Sequence, residues 1–301
     1  MSHPSVTVQV PASTSNCGAG FDTLGLALSI YNRVTVTLIP STAPRAEQPS
    51  DAQALDMVTE TAEAFFSAVG REPVGFLYRI EGEVPPARGL GSSITVIAGV
   101  LAGLDALLAT KLSRHRLVEI ATALEGHPDN ASAGILGGFC VSRCEPASGK
   151  YVDTVRFELP ETLKFVVASP AVELLTKASR GVLPTTLPFF DAVKSINSAT
   201  YLVAVIASGD YEKLRGSGSD FMHEPHRLPG IKGGADAIAA GVRAGALTGW
   251  LSGSGSSVLC VARAESAPTV ATAMCGAFTA AGVESEVRVL TADNTGLRVL
   301  G

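Results

Sequence analysis

Charged residues are scarce in this chain: Asp, Glu, Lys and Arg make up 17% of its 301 residues, and the formal net charge is −5. No basic excess exists to neutralise phosphates along a duplex, which excludes a general nucleic-acid binder but not a small, locally basic pocket. Cysteine is limited to five residues with no C-x-x-C pair, so a disulfide framework is excluded and a reducing compartment is expected. Cys140 and Cys144 stand four apart without neighbouring ligands, which argues against a metal site between them. No basic-then-apolar leader opens the sequence. The charge-free stretch 245–262 is broken by Gly and Ser, so it makes no convincing membrane span. Internal repeats, heptads and low-complexity segments are also missing. The expectation is a soluble, cytoplasmic protein with neither a nucleic-acid nor a membrane partner.

Apolar residues, by contrast, reach 46%, and the length suffices for two compact domains. Val6, Val8 and Val10 alternate with polar residues, as do Val34, Val36 and Leu38, and both segments predict half-buried strands. Leu55, Val58, Phe65, Phe66 and Val69 keep helical spacing, and Phe76, Tyr78 and Ile80 predict a strand. Leu117, Ile120, Ala121 and Leu124 line a helix begun by Ser113 and ended near Gly126 and Pro128. The second half predicts a strand at 165–168, helices around 196–207 and 231–244, strands at 247–251 and 258–261, a helix near 270–281 and a strand at 287–290. That order is a split βαβ sandwich. The polar stretch Ser148-Gly149-Lys150 predicts the boundary, with residues 1–150 in one domain and 151–301 in the other.

Chemistry is concentrated in a few loops. Pro85-Pro86-Ala87-Arg88-Gly89-Leu90-Gly91-Ser92-Ser93 runs straight into an apolar helix. Its glycines let the backbone approach a ligand, and the helix start offers unpaired N–H groups at its positive end, which suits a phosphate. No Lys follows the second glycine, and Ile94 stands where a dinucleotide fingerprint wants a third Gly, so the loop is neither a P-loop nor that fingerprint. Ser92 sits where its hydroxyl can take Mg²⁺; an ordinary N-cap by Ser92 or Ser93 is the alternative. Asn16 and Asp22 bracket the small residues of a second loop, where they either converge on a polar ligand or close an Asx turn. Glu125-Gly126-His127-Pro128-Asp129-Asn130 offers a carboxylate for a Mg²⁺ site, or simply a helix end and a helix cap. Arg180 and Arg227 are two forks able to clamp an amino-acid carboxylate, or two surface ion pairs. The serine-glycine turn 251–257 joins two late strands.

Together these motifs resemble the GHMP kinase superfamily. The carriers are V-P-A-S-T-S-N-x-G-x-G-F-D at 10–22, P-x-x-R-G-L-G-S-S, E-G-H-P-D-N and S-G-S-G, and the resemblance spans about residues 6–261. Phe21-Asp22-Thr23-Leu24-Gly25, His127-Pro128-Asp129-Asn130, the segment 176–180 and Glu224-Pro225-His226-Arg227 narrow it to the homoserine kinases. The resemblance implies an α+β, two-domain fold. Its N-terminal domain, like domain 2 of ribosomal protein S5, binds ATP and Mg²⁺, and a ferredoxin-like split βαβ domain completes the cleft. By the same resemblance Pro86, Arg88, Gly89, Leu90, Gly91, Ser92 and Ser93 cradle ATP, and Ser92 and Glu125 hold Mg²⁺. Asn16 and Asp22 contact the amino and hydroxyl side of L-homoserine, and His127 and Asn130 flank its hydroxyl. Thr176, Arg180 and Arg227 bind its carboxylate.

The implied reaction moves the γ-phosphoryl of ATP to that hydroxyl, giving O-phospho-L-homoserine for threonine biosynthesis. No dedicated general base is evident; Asp22 is the candidate carboxylate. Competing readings are another GHMP kinase, acting on threonine, a mevalonate-like alcohol or a sugar, and a nucleotide-binding regulator without catalysis. Relatives are often dimers, which makes a homodimer the expectation, and the helix around residues 57–61 is the expected neighbourhood of adenine. Three departures stand out: Ser256 where the family has Pro, Ile94-Thr95 where two alanines are common, and a shortened spacing from Arg227 to Pro229.

Overall fold

The alternating valines pair as their pattern predicts. β1 (Ser5–Ser15) and β2 (Leu24–Leu38) run antiparallel, with Val6 opposite Val36 and Val8 opposite Val34, all buried. The computed structural model describes residues 3–172 and 179–300. β3 (Arg45–Ala46) and β4 (Phe76–Gly82) extend this sheet on one side, and β5 (Phe139–Glu145) and β6 (Lys150–Phe157) branch from the far end of β2. β2 is long enough to pair with β4 through residues 32–38 and with β5 through residues 24–26. Helices α1 (Leu55–Val69), α2 (Ser92–Leu108), α3 (Arg114–Glu125) and α4 (Asp129–Leu136) pack on the sheet around Val8, Val34, Phe65, Ile97, Leu101 and Leu117.

The second sheet contains β7 (Leu163–Pro170), β8 (Thr248–Leu251), β9 (Val258–Arg263) and β10 (Ser285–Leu290) in the order β10-β7-β9-β8, every neighbour antiparallel. Between β7 and β8 lie α5 (Phe189–Ser208), the single turn α6 (Glu224–Arg227) and α7 (Gly234–Arg243); α8 (Ala267–Ala280) joins β9 to β10. Numbered within this sheet the strand order is 4-1-3-2, the split βαβ arrangement the sequence predicts. Period-two alternation sorts β7 between two cores. Val166 and Ala168 face Val270, Met274 and Phe278, whereas Phe165 and Val167 join Leu24, Leu26, Phe139 and Trp250. The two sheets therefore share an apolar seam, and the loops at its rim meet. α5 is long and apolar enough to cross a membrane by length and composition, yet it sinks Leu202, Val205 and Ile206 into that seam.

The expected division after residue 150 is corrected. Residues 145–150 form a hairpin turn, and β6 pairs with β5 in the first sheet. β11 (Arg298–Val299) also returns to that sheet, beside β1. A polar, glycine-bearing stretch has the same composition whether it closes a hairpin or links domains.

α4 lies tight against β2 at Gly25, where a Cβ would sit 2.1 Å from the Asp129 carbonyl oxygen. Gly25→Ala must push the start of α4 away, and it is expected to lower stability by about 1–3 kcal/mol. Urea unfolding checks this; an unchanged midpoint would show that α4 tolerates the shift.

Candidate active site

Three backbone turns meet at the rim of the seam. The first, between β1 and β2, holds Asn16, Cys17 and Asp22 at positive φ (67°, 45° and 52°). This conformation is costly for non-glycine residues and persists only where neighbours fix it. Here the buried Asn16 side chain does so: its Nδ2 donates to the Gly253 carbonyl at 3.1 Å and its Oδ1 accepts from the Asp22 N–H at 3.0 Å.

The second turn leads into α2. Gly89 and Gly91 adopt φ of 72° and 65°, and a Cβ on them would lie 2.1 Å from the Ser252 carbonyl and 2.2 Å from Ser13 Oγ. Leu90 is buried between them, anchoring the turn from below. Gly91, without a side chain, is the N-cap, so neither serine serves as the cap. Both instead line a cavity of about 230 Å³ together with Ala87, Gly89 and Gly91, where the first N–H groups of α2 lack intrahelical partners. Ser93 Oγ donates to Glu125 Oε1 at 3.0 Å. Glu125 Oε2 is buried with no hydrogen-bond partner among the described residues. Burial raises the Glu125 pKa, outweighing the opposing pull of His127.

Glu125 ends α3, and the turn after it places His127 and Asn130 on the same cavity. Asn130 Oδ1 accepts from Ser13 Oγ at 2.8 Å, and its Nδ2 donates to Ser15 Oγ at 3.2 Å. His127 Nδ1 lies 2.6 Å from Asp129 Oδ1, which also accepts from the Asn130 N–H at 2.7 Å. Burial alone would lower the His127 pKa, but the Asp129 carboxylate, helped by Glu125 and Asp22, raises it to about 9. Burial would raise the Asp129 pKa; the imidazole beside it wins and lowers it. His127 is thus an imidazolium at neutral pH. Asp129, which the motif reading left as a helix cap or a metal candidate, proves to be its charge partner.

The opposite wall comes from the second half. Arg180 grips Asp22 bidentately, Nη1 to Oδ2 at 3.1 Å and Nη2 to Oδ1 at 2.6 Å. Arg227 is buried, with Nε donating to the Ser179 carbonyl at 3.1 Å and Nη1 to the Gly253 carbonyl at 3.3 Å. Asp220 fixes the turn before α6 by accepting from the N–H groups of Met222, His223 and Glu224. Both arginines line the cavity with the mouth of α2. Phe21, Gly253 and Ser254 line it too; Phe21 belongs to the family motif but carries no assigned role there.

Not every expected residue reaches this cavity. Arg88 turns away: its Nη1 donates to the Pro170 carbonyl, and it lines a separate groove with Ser169 and Glu284. Leu90 is buried below the turn and lines neither this cavity nor the next, and Thr176 lies outside the described residues. A second cavity, of about 640 Å³, shares Ser92 and Ser93 with the first and adds Pro86. Its remaining wall is Asn32, Asp51, Ala54, Met57, Ile80 and Val96 among others. Met57 lines it, whereas Thr61 is buried and bonds back to the Met57 carbonyl at 2.7 Å.

A model of the GHMP kinases N-terminal domain matches residues 56–138. The chain is 39% identical to a homoserine kinase of Moorella thermoacetica, over 97% of this chain and 99% of that one. It is 38% identical to one from a Synechococcus strain, over 97% and 94%. The chain belongs to the homoserine kinase family. The crystal structure of a homoserine kinase from Cytophaga hutchinsonii superposes with a TM-score of 0.87 at 28% identity, covering 98% of this chain and 97% of that one. A mevalonate diphosphate decarboxylase from Staphylococcus aureus shares the fold, with a TM-score of 0.72 at 15% identity, covering 100% and 99%. As a GHMP-type kinase the protein uses ATP to phosphorylate an alcohol. The family departures have local counterparts. Thr95 donates to the Ser92 carbonyl at 2.6 Å and accepts from Asn32 Nδ2 at 2.8 Å. Ser256 Oγ donates to the Val172 carbonyl.

The His127–Asp129 pair yields a pH signature. The folded-state pKa lies above the unfolded value, so the stabilisation is complete below the ordinary histidine range and is lost as pH rises through about 9. NMR titration should find His127 ionising near that value, and Asp129→Asn should return it toward the ordinary range. An ordinary titration in the parent protein would refute the pairing.

Proposed function

We propose that this protein transfers the γ-phosphoryl group of ATP to the side-chain hydroxyl of L-homoserine. One observation carries the reading: the mouth of α2 and the two guanidiniums of Arg180 and Arg227 line a single cavity. An anion-binding helix start on one wall and a carboxylate clamp on the other suit an acceptor that carries both a hydroxyl and a carboxylate. The second cavity meets the first at Ser92 and Ser93, so a nucleotide threaded through both leaves its terminal phosphate at the helix mouth. Met57, Ile80 and Val96 supply apolar walls for the base.

In the transfer, the hydroxyl oxygen bonds to the γ-phosphorus while the bond from that phosphorus to the β–γ bridging oxygen breaks. Phosphoryl transfer of this kind depends mainly on in-line positioning and charge stabilisation. The N–H groups of α2 and the His127 imidazolium face the developing negative charge. Protonated His127 is no base, and without a free lone pair it is no metal ligand either, although its nitrogen and the Asp22 and Asp129 oxygens lie within 4.8 Å of one another. Asp22, held by Arg180, receives the ammonium group of the acceptor and is the candidate carboxylate for its hydroxyl proton. Arg180 and Arg227 take the carboxylate.

The partnerless Glu125 Oε2 and the Ser92 hydroxyl fit a hard divalent cation, because a buried carboxylate oxygen without a donor is costly unless a cation satisfies it. Mg²⁺ held there would neutralise charge on the phosphate chain.

An assay of ADP release with homoserine, threonine, mevalonate and galactose side by side tests the assignment, and turnover is expected with homoserine. Turnover of mevalonate or galactose alone would sink it, as would nucleotide binding without any turnover. Glu125→Gln at limiting Mg²⁺ is expected to lose about two to four orders of magnitude in turnover; near-native rates would remove the metal role. Arg227→Lys keeps the charge and loses the fork, so KM for homoserine should rise by about one to two orders of magnitude with little change in KM for ATP.

A further inference from the structure

Phe21 is the one aromatic carbocycle among the described residues lining the cavity, and none of the roles above uses it. The Arg180 and Arg227 guanidinium carbons each lie 5.3 Å from the centroid of its ring. The His223 ring packs against the same phenyl at 5.4 Å and 34°. His223 is buried; its Nε2 donates to the Gly18 carbonyl at 2.8 Å, and its Nδ1 has no partner among the described residues. Burial lowers the His223 pKa against the opposing pull of Asp220, and the ring serves as a rigid backing tied to the Phe21 loop.

Two guanidiniums beside one ring repel each other. Burial lowers the Arg227 pKa, and the neighbouring Arg180 lowers it further. Asp22 compensates Arg180, but Arg227 bonds to the carbonyls of Ser179 and Gly253, and no carboxylate bonds to it among the described residues. Nearby carboxylates oppose this at a distance, and the negative face of the phenyl ring adds an attraction in direct contact. A leucine would fill similar space without that quadrupole.

We propose that Phe21 is a positioning residue: its ring holds Arg180 and Arg227 together when no anion is present, so that they meet the carboxylate of an amino-acid alcohol as a preformed pair. The proposal rests on the kinase reading for the identity of that carboxylate. It extends the reading by assigning acceptor discrimination to a residue that makes no hydrogen bond of its own to the acceptor.

Phe21→Leu removes the ring and keeps apolar bulk, whereas Phe21→Tyr keeps the ring. With homoserine as the varied substrate, the Leu variant is expected to raise KM about tenfold. Its kcat, its KM for ATP and its thermal midpoint should stay near those of the parent, and the Tyr variant should restore KM. The carboxylate-free analogue 3-amino-1-propanol should be bound equally by the parent and by Phe21→Leu. Independently of turnover, exchange of the Arg180 and Arg227 Nε–H protons in ¹⁵N-labelled protein should quicken in the Leu variant and remain slow in the Tyr variant. An unchanged homoserine KM in Phe21→Leu, equal losses in both variants, or a loss confined to ATP overturns the proposal. If the parent protein turns over no amino-acid alcohol, the kinase reading fails on its own, and the exchange comparison still decides: quicker exchange in the Leu variant supports the role of Phe21, and identical exchange rates overturn it.

Discussion

The glycine turn before α2 is seated directly on the serine turn between β8 and β9, and the functional cavity exists because of that contact. Ser252 Oγ donates to the Gly89 carbonyl at 2.7 Å, the Ser257 N–H to the Arg88 carbonyl at 3.1 Å, and the Gly253 N–H to the Ser15 carbonyl at 3.2 Å. Just behind them, Trp250 Nε1 donates to Thr14 Oγ1 at 3.2 Å. Each bond stabilises by about 1 kcal/mol net, but losing one would strand a buried carbonyl at a larger cost. The two halves are thereby held at one distance, which sets how far the arginines stand from the helix mouth.

Against that frame, the distribution of charge is informative in a chain that has little of it. Asp22, Glu125, His127, Asp129, Arg180 and Arg227 all line the same small cavity. Two ion pairs account for four of them, His127 with Asp129 and Arg180 with Asp22. Among the described residues, Glu125 and Arg227 have no ionic partner. Leaving a buried charge unpaired is expensive, and the proposed ligands of opposite sign would relieve both exceptions. In the proposed reaction these would be a divalent cation at Glu125 and the carboxylate of the acceptor at Arg227.

The main elements could be read from the sequence because their physics is local. Alternating valines set β1 and β2, and the mixed apolar runs of the second half gave the split βαβ order. The end of the first sheet escaped, because composition cannot distinguish the turn at 145–150 from a linker, and two-residue β11 carries no periodicity at all. In the site, glycines and serines before an apolar helix pointed to the cavity-lining turn through backbone conformation. Side-chain direction was not legible: Arg88 belongs to the motif by position, yet it swings to the Pro170 carbonyl. Asp129 was hidden because an aspartate opening a helix looks like a cap, and its bond to His127 depends on the turn between them. The Asp22–Arg180 pair joins residues 158 positions apart, beyond the reach of any spacing argument.

The return of β11 to β1 makes the second half an insertion within the first. Residues 158–297 leave the larger sheet after β6 and come back to close it, and Arg114 fastens the returning segment through the Thr295 and Leu297 carbonyls at 2.5 and 2.8 Å. While the chain is being synthesised, β1 stands with an open hydrogen-bonding edge until residues 298–299 have been made. β1 and β11, 289 residues apart at the Gln9–Arg298 pair, thus lie side by side in one sheet.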